Sequence, residues 1–153
     1  MALKINEQAP DFTLPSTSGK DLTLSKDLVN KPCIIYFYPK DFTSVCTKEA
    51  CAFRDEFAAF REVDIEVYGI SRDDIPTHQK FKEQHQLPFD LLSDKSGKVC
   101  KAYSALVPII GLPKRITYLL NKDHRIAGVF QDMFSADKHI KRMIEKVNTK
   151  SYL

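Results

Sequence analysis

The chain has 153 residues, of which 43% are hydrophobic and 28% are charged. These proportions are typical of an ordinary globular protein, so we expect residues 1–153 to fold as one domain. The net charge is +3 and the two signs are interleaved, which argues against the basic stripe of a nucleic-acid-binding protein. No apolar run is long enough to span a membrane, and the first residues lack the hydrophobic core of a secretory signal. A cytoplasmic location without membrane partners is therefore expected.

Short apolar segments separated by turn residues predict the elements of the chain. A hairpin comes first, with arms over 11–14 and 21–24. Strands over 33–38, 65–71 and 89–94 then alternate with helices over 46–62, 75–86 and 97–104. A second hairpin, with strands over 115–121 and 126–130, precedes a last helix over 136–147. This order predicts an α/β fold with a central mixed β-sheet flanked by helices and an N-terminal β-hairpin.

The stretch from Pro39 to Cys51 carries the strongest chemical signal in the sequence. It reads Pro-Lys-Asp-Phe-Thr-Ser-Val-Cys-Thr-Lys-Glu-Ala-Cys and joins the first core strand to the first long helix. Cys46 is expected at the start of that helix, where unpaired N–H groups and the helix dipole favour a thiolate. An activated cysteine with a second one five residues later predicts redox chemistry. Cys33 and, less securely, Cys100 fit the simpler interpretation of buried small side chains.

A thiol that reduces peroxide needs a thiolate, donors that polarise the peroxide oxygens and a route from sulfenic acid back to thiol. Pro39 would shield the sulfenic acid, and the Thr43 hydroxyl can both donate to and accept from a bound peroxide. Arg115, which opens a later strand, is the candidate cation because its planar guanidinium suits the task better than a lysine. By periodicity alone Arg115 would be an ordinary surface arginine.

The spacing of Cys46 and Cys51 makes a mechanical prediction. In an intact helix, residues i and i+5 lie about 8.7 Å apart by Cα. A disulfide needs Cα atoms about 4.4–6.8 Å apart. A bond between these two cysteines therefore requires the first turns of the helix to unwind, so the reduced and oxidised proteins should differ in conformation.

The pattern Pro39-x3-Thr43-x2-Cys46 resembles the peroxidatic signature of peroxiredoxins. Cys51, five residues further on, is similar to the subgroup called PrxQ or bacterioferritin comigratory protein. Matching segments at 9–14, 36–40, 69–71, 91–94 and 115–118 extend the resemblance over nearly the whole chain. The resemblance implies a thioredoxin-like fold and an antioxidant thiol peroxidase acting on hydrogen peroxide and organic hydroperoxides. Cys46 would be the peroxidatic cysteine and Cys51 the resolving one, with Pro39, Thr43 and Arg115 forming the pocket.

The resemblance also implies the partners of the site. Thioredoxin or a similar disulfide reductase would return the electrons, the protein would be a monomer or a weak homodimer, and no metal, haem or flavin cofactor would be needed. Glu49 would pair with the arginine, although a solvated helix carboxylate is an equally good interpretation. Because resolution in the subgroup can use a cysteine from a later helix, Cys100 stays open as an alternative to Cys51.

Three other functions compete with this interpretation. A thioredoxin-type oxidoreductase calls for Cys-x2-Cys, whereas the spacing here is Cys-x4-Cys. A zinc site lacks a second close pair of ligands, and the four histidines sit among polar residues and are expected at the surface: His78, His85, His124 and His139. A peroxide sensor that passes oxidation to a partner protein through a mixed disulfide would use the same Cys46 chemistry, so it remains the alternative function.

Overall fold

The computed structural model describes residues 1–131 and, beyond them, Ile140, Arg142, Met143, Glu145 and Lys146. The predicted last helix over 136–147 lies mostly outside the described residues, and the five that are described there have helical backbone. In chain order the elements are β1 (Thr13–Pro15), β2 (Asp21–Thr23), α1 (Leu24–Asp27), β3 (Cys33–Phe37), α2 (Ser44–Asp55), α3 (Phe57–Glu62), β4 (Glu66–Ser71), α4 (Ile75–His85), β5 (Leu91–Ser93), α5 (Lys98–Ala102), β6 (Ile116–Leu120) and β7 (Ile126–Phe130).

Five of the strands form one mixed sheet in the order β5-β4-β3-β6-β7. β3 runs parallel to β4, and β4 to β5, whereas β6 is antiparallel to both β3 and β7. The central strand β3 is buried along its whole length, which explains why it reads as an uninterrupted apolar run. β1 and β2 pair separately as the predicted N-terminal hairpin. The predicted α/β architecture is confirmed.

Each face of the sheet supports its own apolar cluster, because alternate residues of a strand point to opposite faces. Ile34 and Tyr36 of β3 belong to one cluster, together with side chains of α2, α3 and α4. Cys33 and Ile35 belong to the other, together with the N-terminal hairpin, α1 and α5. Cys46 and Ala50, from the stretch between Pro39 and Cys51, therefore pack on the first face.

The single helix predicted over 46–62 is wrong, because this segment forms two helices. The first begins at Ser44, two residues before the predicted start, and it is interrupted at Glu56, whose φ of −102° and ψ of 7° depart from helical values. The Glu56 N–H still donates to the Ala52 carbonyl at 3.2 Å, so the hydrogen-bonded ladder bends rather than ends. Tertiary packing accounts for the bend: Phe53 and Phe60 both reach the same cluster, with ring centroids 6.2 Å apart.

The expectation of surface histidines is also wrong for two of the four. His78 is completely buried, and His124 is buried against the backbone, with Nε2 2.7 Å from the Leu28 carbonyl oxygen. His85 is half-buried, and His139 lies outside the described residues.

Within the described part of the chain, no helix has both the length and the apolar character that crossing a bilayer requires.

Candidate active site

The loop between β3 and α2 turns the chain sharply before the helix begins. Phe42 has a φ of 66°, in the left-handed region that residues other than glycine rarely occupy. The N–H of Asp41 donates to Asp73 Oδ2 at 2.9 Å, which fixes the loop to the end of β4. Thr43 then caps α2 with an extended backbone, and its hydroxyl donates to the Lys40 carbonyl at 2.8 Å. This bond uses the Thr43 proton, so the hydroxyl oxygen faces a ligand as an acceptor.

Cys46 is the third residue of α2, as the sequence predicts to within two residues. The first helical hydrogen bond runs from the Thr47 N–H to the Thr43 carbonyl at 2.9 Å, so the N–H groups of Val45 and Cys46 precede the ladder. The Cys46 side chain is only 1% exposed, and its Sγ lies 3.1 Å from Arg115 Nη2. A guanidinium and a helix start both act on this sulfur, and both favour a negative charge there.

Arg115 lies inside the site and is not a surface arginine. It is 8% exposed, and its Nη1 donates to Glu49 Oε1 at 2.7 Å while Nη2 faces Cys46. Burial disfavours the charged guanidinium, but Glu49 and Cys46 outweigh it and hold the pKa of Arg115 above its ordinary value. The planar side chain thus bridges the thiol and the carboxylate, which a lysine could not do with the same geometry.

Glu49 is fully buried, which excludes the interpretation of a solvated helix carboxylate. Burial raises its pKa to about 7, against the opposing effect of the Arg115 charge. One carboxyl oxygen is bonded to Arg115, whereas Oε2 has no hydrogen-bond partner among the residues that the structure describes. The carboxyl can therefore hold a proton near neutral pH.

A cavity of about 530 Å³ opens beside Arg115. Pro39 and Val45 line one side of it, and apolar residues of the loop between α5 and β6, among them Ile110 and Leu112, line the other. Cys46 does not line the cavity, but Arg115, whose Nη2 contacts the Cys46 sulfur, does. A ligand with an apolar substituent and a polar reacting group could lie in this space with the polar end toward the guanidinium.

Cys51, the second cysteine of the stretch, lies on the same helix as Cys46 and is kept apart from it, as the spacing predicts. Cys51 is half-buried on α2, and the helix spans both Cys46 and Cys51, so the two are separate thiols in this state. Cys100 is buried on α5 in the cluster on the opposite face of the sheet from Cys46. Burial, and secondarily the neighbouring Asp94, raises the pKa of Cys100 and keeps it protonated.

The comparison with family models decides which class of protein this is. The model described as the AhpC/TSA family matches residues 5–129. The chain belongs to the AhpC/TSA family.

Individual relatives narrow the assignment to the peroxiredoxins. Peroxiredoxin Q from the chloroplast of Oryza sativa subsp. japonica is 44% identical over 133 residues, which are 86% of this chain and 61% of the rice protein. A second relative, a peroxiredoxin bcp from Coxiella burnetii, is 39% identical over 153 residues, which are 96% of this chain and 100% of the relative. The chain spans about three fifths of the length of the plant relatives. The resemblance to PrxQ and bacterioferritin comigratory protein is confirmed.

A solved peroxiredoxin structure shares the fold of this chain as well. The crystal structure of peroxidoxin BcpB from Mycobacterium tuberculosis superposes with a TM-score of 0.89 at 33% identity, covering 96% of this chain and 97% of that one. The predicted thioredoxin-like fold is therefore confirmed.

A buried polar network lies behind the loop between β3 and α2, and no local pattern in the sequence indicates it. The Tyr38 hydroxyl donates to Asp41 Oδ1 at 2.6 Å, and Asp41 Oδ2 lies 2.6 Å from His78 Nδ1. His78 Nε2 lies 3.0 Å from the Leu92 carbonyl oxygen, which can only accept, so Nε2 carries a proton. The short contact between Nδ1 and Asp41 must therefore hold one further proton. Both residues are completely shielded from solvent, so this network anchors the loop from within the core.

Asp41, Asp73 and His78 bring one possible ligand atom each to within 4.8 Å of one another. These atoms already bond to each other and to protein groups, since Asp73 Oδ2 accepts from the Ser71 hydroxyl and the Asp41 N–H. The cluster therefore acts as a hydrogen-bonded anchor. The only signal in the sequence is the polar loop itself, because the interacting residues are far apart along the chain.

Proposed function

We propose that this peroxiredoxin is a thiol peroxidase that reduces hydrogen peroxide and organic hydroperoxides through a sulfenic acid at Cys46. The observation that carries the proposal is the contact of 3.1 Å between Arg115 Nη2 and Cys46 Sγ at the start of α2. That arrangement stabilises a thiolate and places a cation where negative charge develops on the peroxide oxygens.

In the first step the Cys46 thiolate attacks one oxygen of the hydroperoxide and the O–O bond breaks. The sulfur gains a hydroxyl group, and the other oxygen leaves as an alkoxide or hydroxide that takes up a proton. Arg115 donates to the oxygens during the transfer, while Glu49 holds the guanidinium in plane. The oxygen of Thr43 accepts the hydrogen bond of the hydroperoxide, and Pro39 covers the site from the cavity side. The apolar wall of the cavity suits the alkyl group of an organic hydroperoxide.

In the second step Cys51 attacks the sulfenic acid and releases water, which leaves a disulfide with Cys46. Because α2 spans both residues, its first turns must open before the sulfurs can meet. Cys100 is the weaker candidate for this step, since the sheet separates it from Cys46.

The proposal also covers the reductant of the disulfide, the location of the protein and its oligomeric state. Thioredoxin or a similar disulfide reductase reduces the disulfide formed by Cys46 and Cys51, and the protein acts in the cytoplasm as a monomer or a weak homodimer. Support comes from the exposed residues at the start of α2, which a reductase could reach once the helix opens.

The direct test is a coupled assay in which thioredoxin, its reductase and NADPH report peroxide turnover. Cys46→Ser should abolish turnover, and Arg115→Lys should lower the second-order rate with peroxide by about 100-fold, as loss of one oxyanion donor does. Arg125→Lys is the matched control, because Arg125 precedes a strand in the same hairpin but its guanidinium donates to the Asn6 carbonyl at 3.0 Å, away from Cys46. Full turnover by Cys46→Ser would contradict the proposal. A lasting mixed disulfide with one partner protein, without multiple turnover, would favour the peroxide sensor.

A further inference from the structure

The sulfur of Cys51 faces a histidine from a different helix. His85, the last residue of α4, places its Nδ1 3.9 Å from Cys51 Sγ, within reach of an S–H···N hydrogen bond. We propose that His85 is a catalytic residue of the resolving step, the base that takes the Cys51 proton when that sulfur attacks the Cys46 sulfenic acid. The inference rests on the proposed function, in which Cys51 is the resolving cysteine.

Contacts on two sides hold His85 in this position. The Phe81 ring lies edge-on to the imidazole, with centroids 5.0 Å apart and an angle of 64° between the planes. Arg54 Nη1 donates to the His85 backbone carbonyl at 2.8 Å, which ties the end of α4 to α2 three residues beyond Cys51. The imidazole is therefore fixed with respect to the part of α2 that carries the resolving sulfur.

The two cysteines lie in parts of α2 that are held very differently. Residues 42–45 are all exposed, and Cys46 is the buried residue of the first turn. Beyond it, Ala50 and Phe53 are buried, and Phe53 stacks on Tyr36 of the central strand with centroids 4.6 Å apart.

The cost of unwinding is lowest where the fewest apolar contacts are lost. The first turn should therefore open and carry Cys46 toward Cys51, while Cys51 keeps its place beside His85. The base then contacts the attacking sulfur both before the helix opens and during the reaction.

The atoms and electrons of the step balance without another reactant. Neutral His85, protonated on Nε2, accepts the Cys51 thiol proton on Nδ1, and the resulting thiolate attacks Cys46 Sγ. An S–S bond forms as the S–O bond of the sulfenic acid breaks, so the Cys51 sulfur is oxidised by one electron and the Cys46 sulfur is reduced by one. The departing hydroxide takes the proton from His85 and leaves as water, which restores the neutral imidazole.

Arg54 supplies a compensating charge. Its pKa is raised by the hydrogen bond to Asp55 and also by the neighbouring Cys51 sulfur. A guanidinium near Cys51 favours the thiolate once its proton has moved to His85. The polar groups connected to the His85–Cys51 pair include Arg54 and, through it, Asp55, and also the buried Tyr36 phenol, whose pKa is raised mainly by burial and in part by the Cys51 sulfur.

The test follows the two chemical steps separately in a single turnover. Reduced protein is mixed with one equivalent of hydrogen peroxide, quenched at intervals with a sulfenic acid trap and a thiol alkylator, and analysed by peptide mass spectrometry. The variants are His85→Asn, which keeps a polar atom near the Nδ1 position without a base, and His85→Ala. Glu83→Ala, an exposed position in the same turn of α4, is the matched control.

We expect the rate of sulfenic acid formation at Cys46 to stay within about twofold in every variant, because His85 does not contact Cys46. The disulfide with Cys51 should form at least about tenfold more slowly in both His85 variants at pH 7, since only a few per cent of an unassisted thiol is ionised there. The defect should shrink as the pH is raised toward 9.5, and added imidazole should partly rescue His85→Ala. A merely structural role would give neither response.

Unchanged resolution in His85→Asn and His85→Ala, with normal sulfenic acid formation, would overturn the role of His85. Slow resolution that neither high pH nor imidazole relieves would overturn it as well. Failure of the wild type to form a disulfide between Cys46 and Cys51 would instead contradict the proposed function, and the two failures are distinguished by the wild-type sample alone.

Discussion

At the scale of single residues, Glu49 is the most informative group in the site. It is a buried carboxyl with one oxygen bonded to Arg115 and the other without a partner in the described part of the chain. Its pKa of about 7 in the folded protein exceeds the ordinary value of 4.5, so the folded state binds more protons than the unfolded state between these pH values. The stabilising contribution is complete below about pH 4.5 and is lost as the pH rises through about 7.

We therefore predict that the free energy of unfolding of the reduced wild type, relative to Glu49→Gln, decreases by roughly 1–3 kcal/mol from pH 5 to pH 8. Urea unfolding at both pH values measures this difference. Glu62→Gln, an exposed position on α3, is the control and should show little dependence on pH. A difference that grows with pH would contradict the assignment of a raised pKa.

His78 supports the loop between β3 and α2 from behind. Replacing it with leucine leaves Asp41 as a buried carboxyl that keeps only the Tyr38 bond on its side chain. We predict that His78→Leu lowers the free energy of unfolding by about 3–5 kcal/mol, as the loss of one partner of a buried pair does. Lys80→Ala, exposed on the same helix, should change it by less than about 0.5 kcal/mol. Equal stability of His78→Leu and wild type would show that the network does not anchor the loop.

At the scale of elements, the first turn of α2 is the part that must move. It follows a left-handed residue at Phe42, the side chains over 42–45 are exposed, and the intact helix keeps its Cys46 apart from Cys51. The C-terminal half of α2 is fixed by Phe53 and by the bond from Arg54 to the His85 carbonyl. We infer that α2 opens from its N-terminus only.

This inference predicts the pattern of amide hydrogen exchange after stoichiometric oxidation. Amides over 47–50 should exchange about 100-fold faster or more, because opening breaks their helical hydrogen bonds, whereas those over 66–71 in β4 should not change. Cys51→Ser treated with the same peroxide is the control and should keep its protection. Unchanged exchange throughout α2 in the oxidised wild type would contradict a helix that unwinds to form the disulfide.

The elements also show what a sequence can and cannot reveal. The strands, the N-terminal hairpin and the start of α2 follow from apolar periodicity and turn residues, which act over short distances along the chain. The interruption at Glu56 does not, because it depends on how Phe53 and Phe60 reach a shared cluster. Thr43 and Cys46 are predicted from one short motif, and Arg115 from the need for a planar cation and from a separate matching segment over 115–118. The burial of His78 and the contact of His85 with Cys51 depend on packing between helices that no local pattern encodes.

At the scale of the whole molecule, the sheet separates the cysteines into two groups. Cys46 packs in the cluster that α2 shares with α3 and α4, and Cys51 lies on the same helix. Cys33 and Cys100 pack in the cluster on the opposite face. Oxidation of Cys46 should therefore be resolved on its own face, by a local opening of α2, without rearrangement of the sheet.

The most direct test of this account is peptide mapping by mass spectrometry after one equivalent of hydrogen peroxide, on the reduced wild type and on Cys51→Ser. We predict a disulfide between Cys46 and Cys51 in the wild type, and a trapped sulfenic acid at Cys46 in the variant. A link between Cys46 and Cys100 would keep the peroxidase but contradict the proposed resolution on one face of the sheet. A free Cys46 thiol while the peroxide persists would contradict the peroxidase itself.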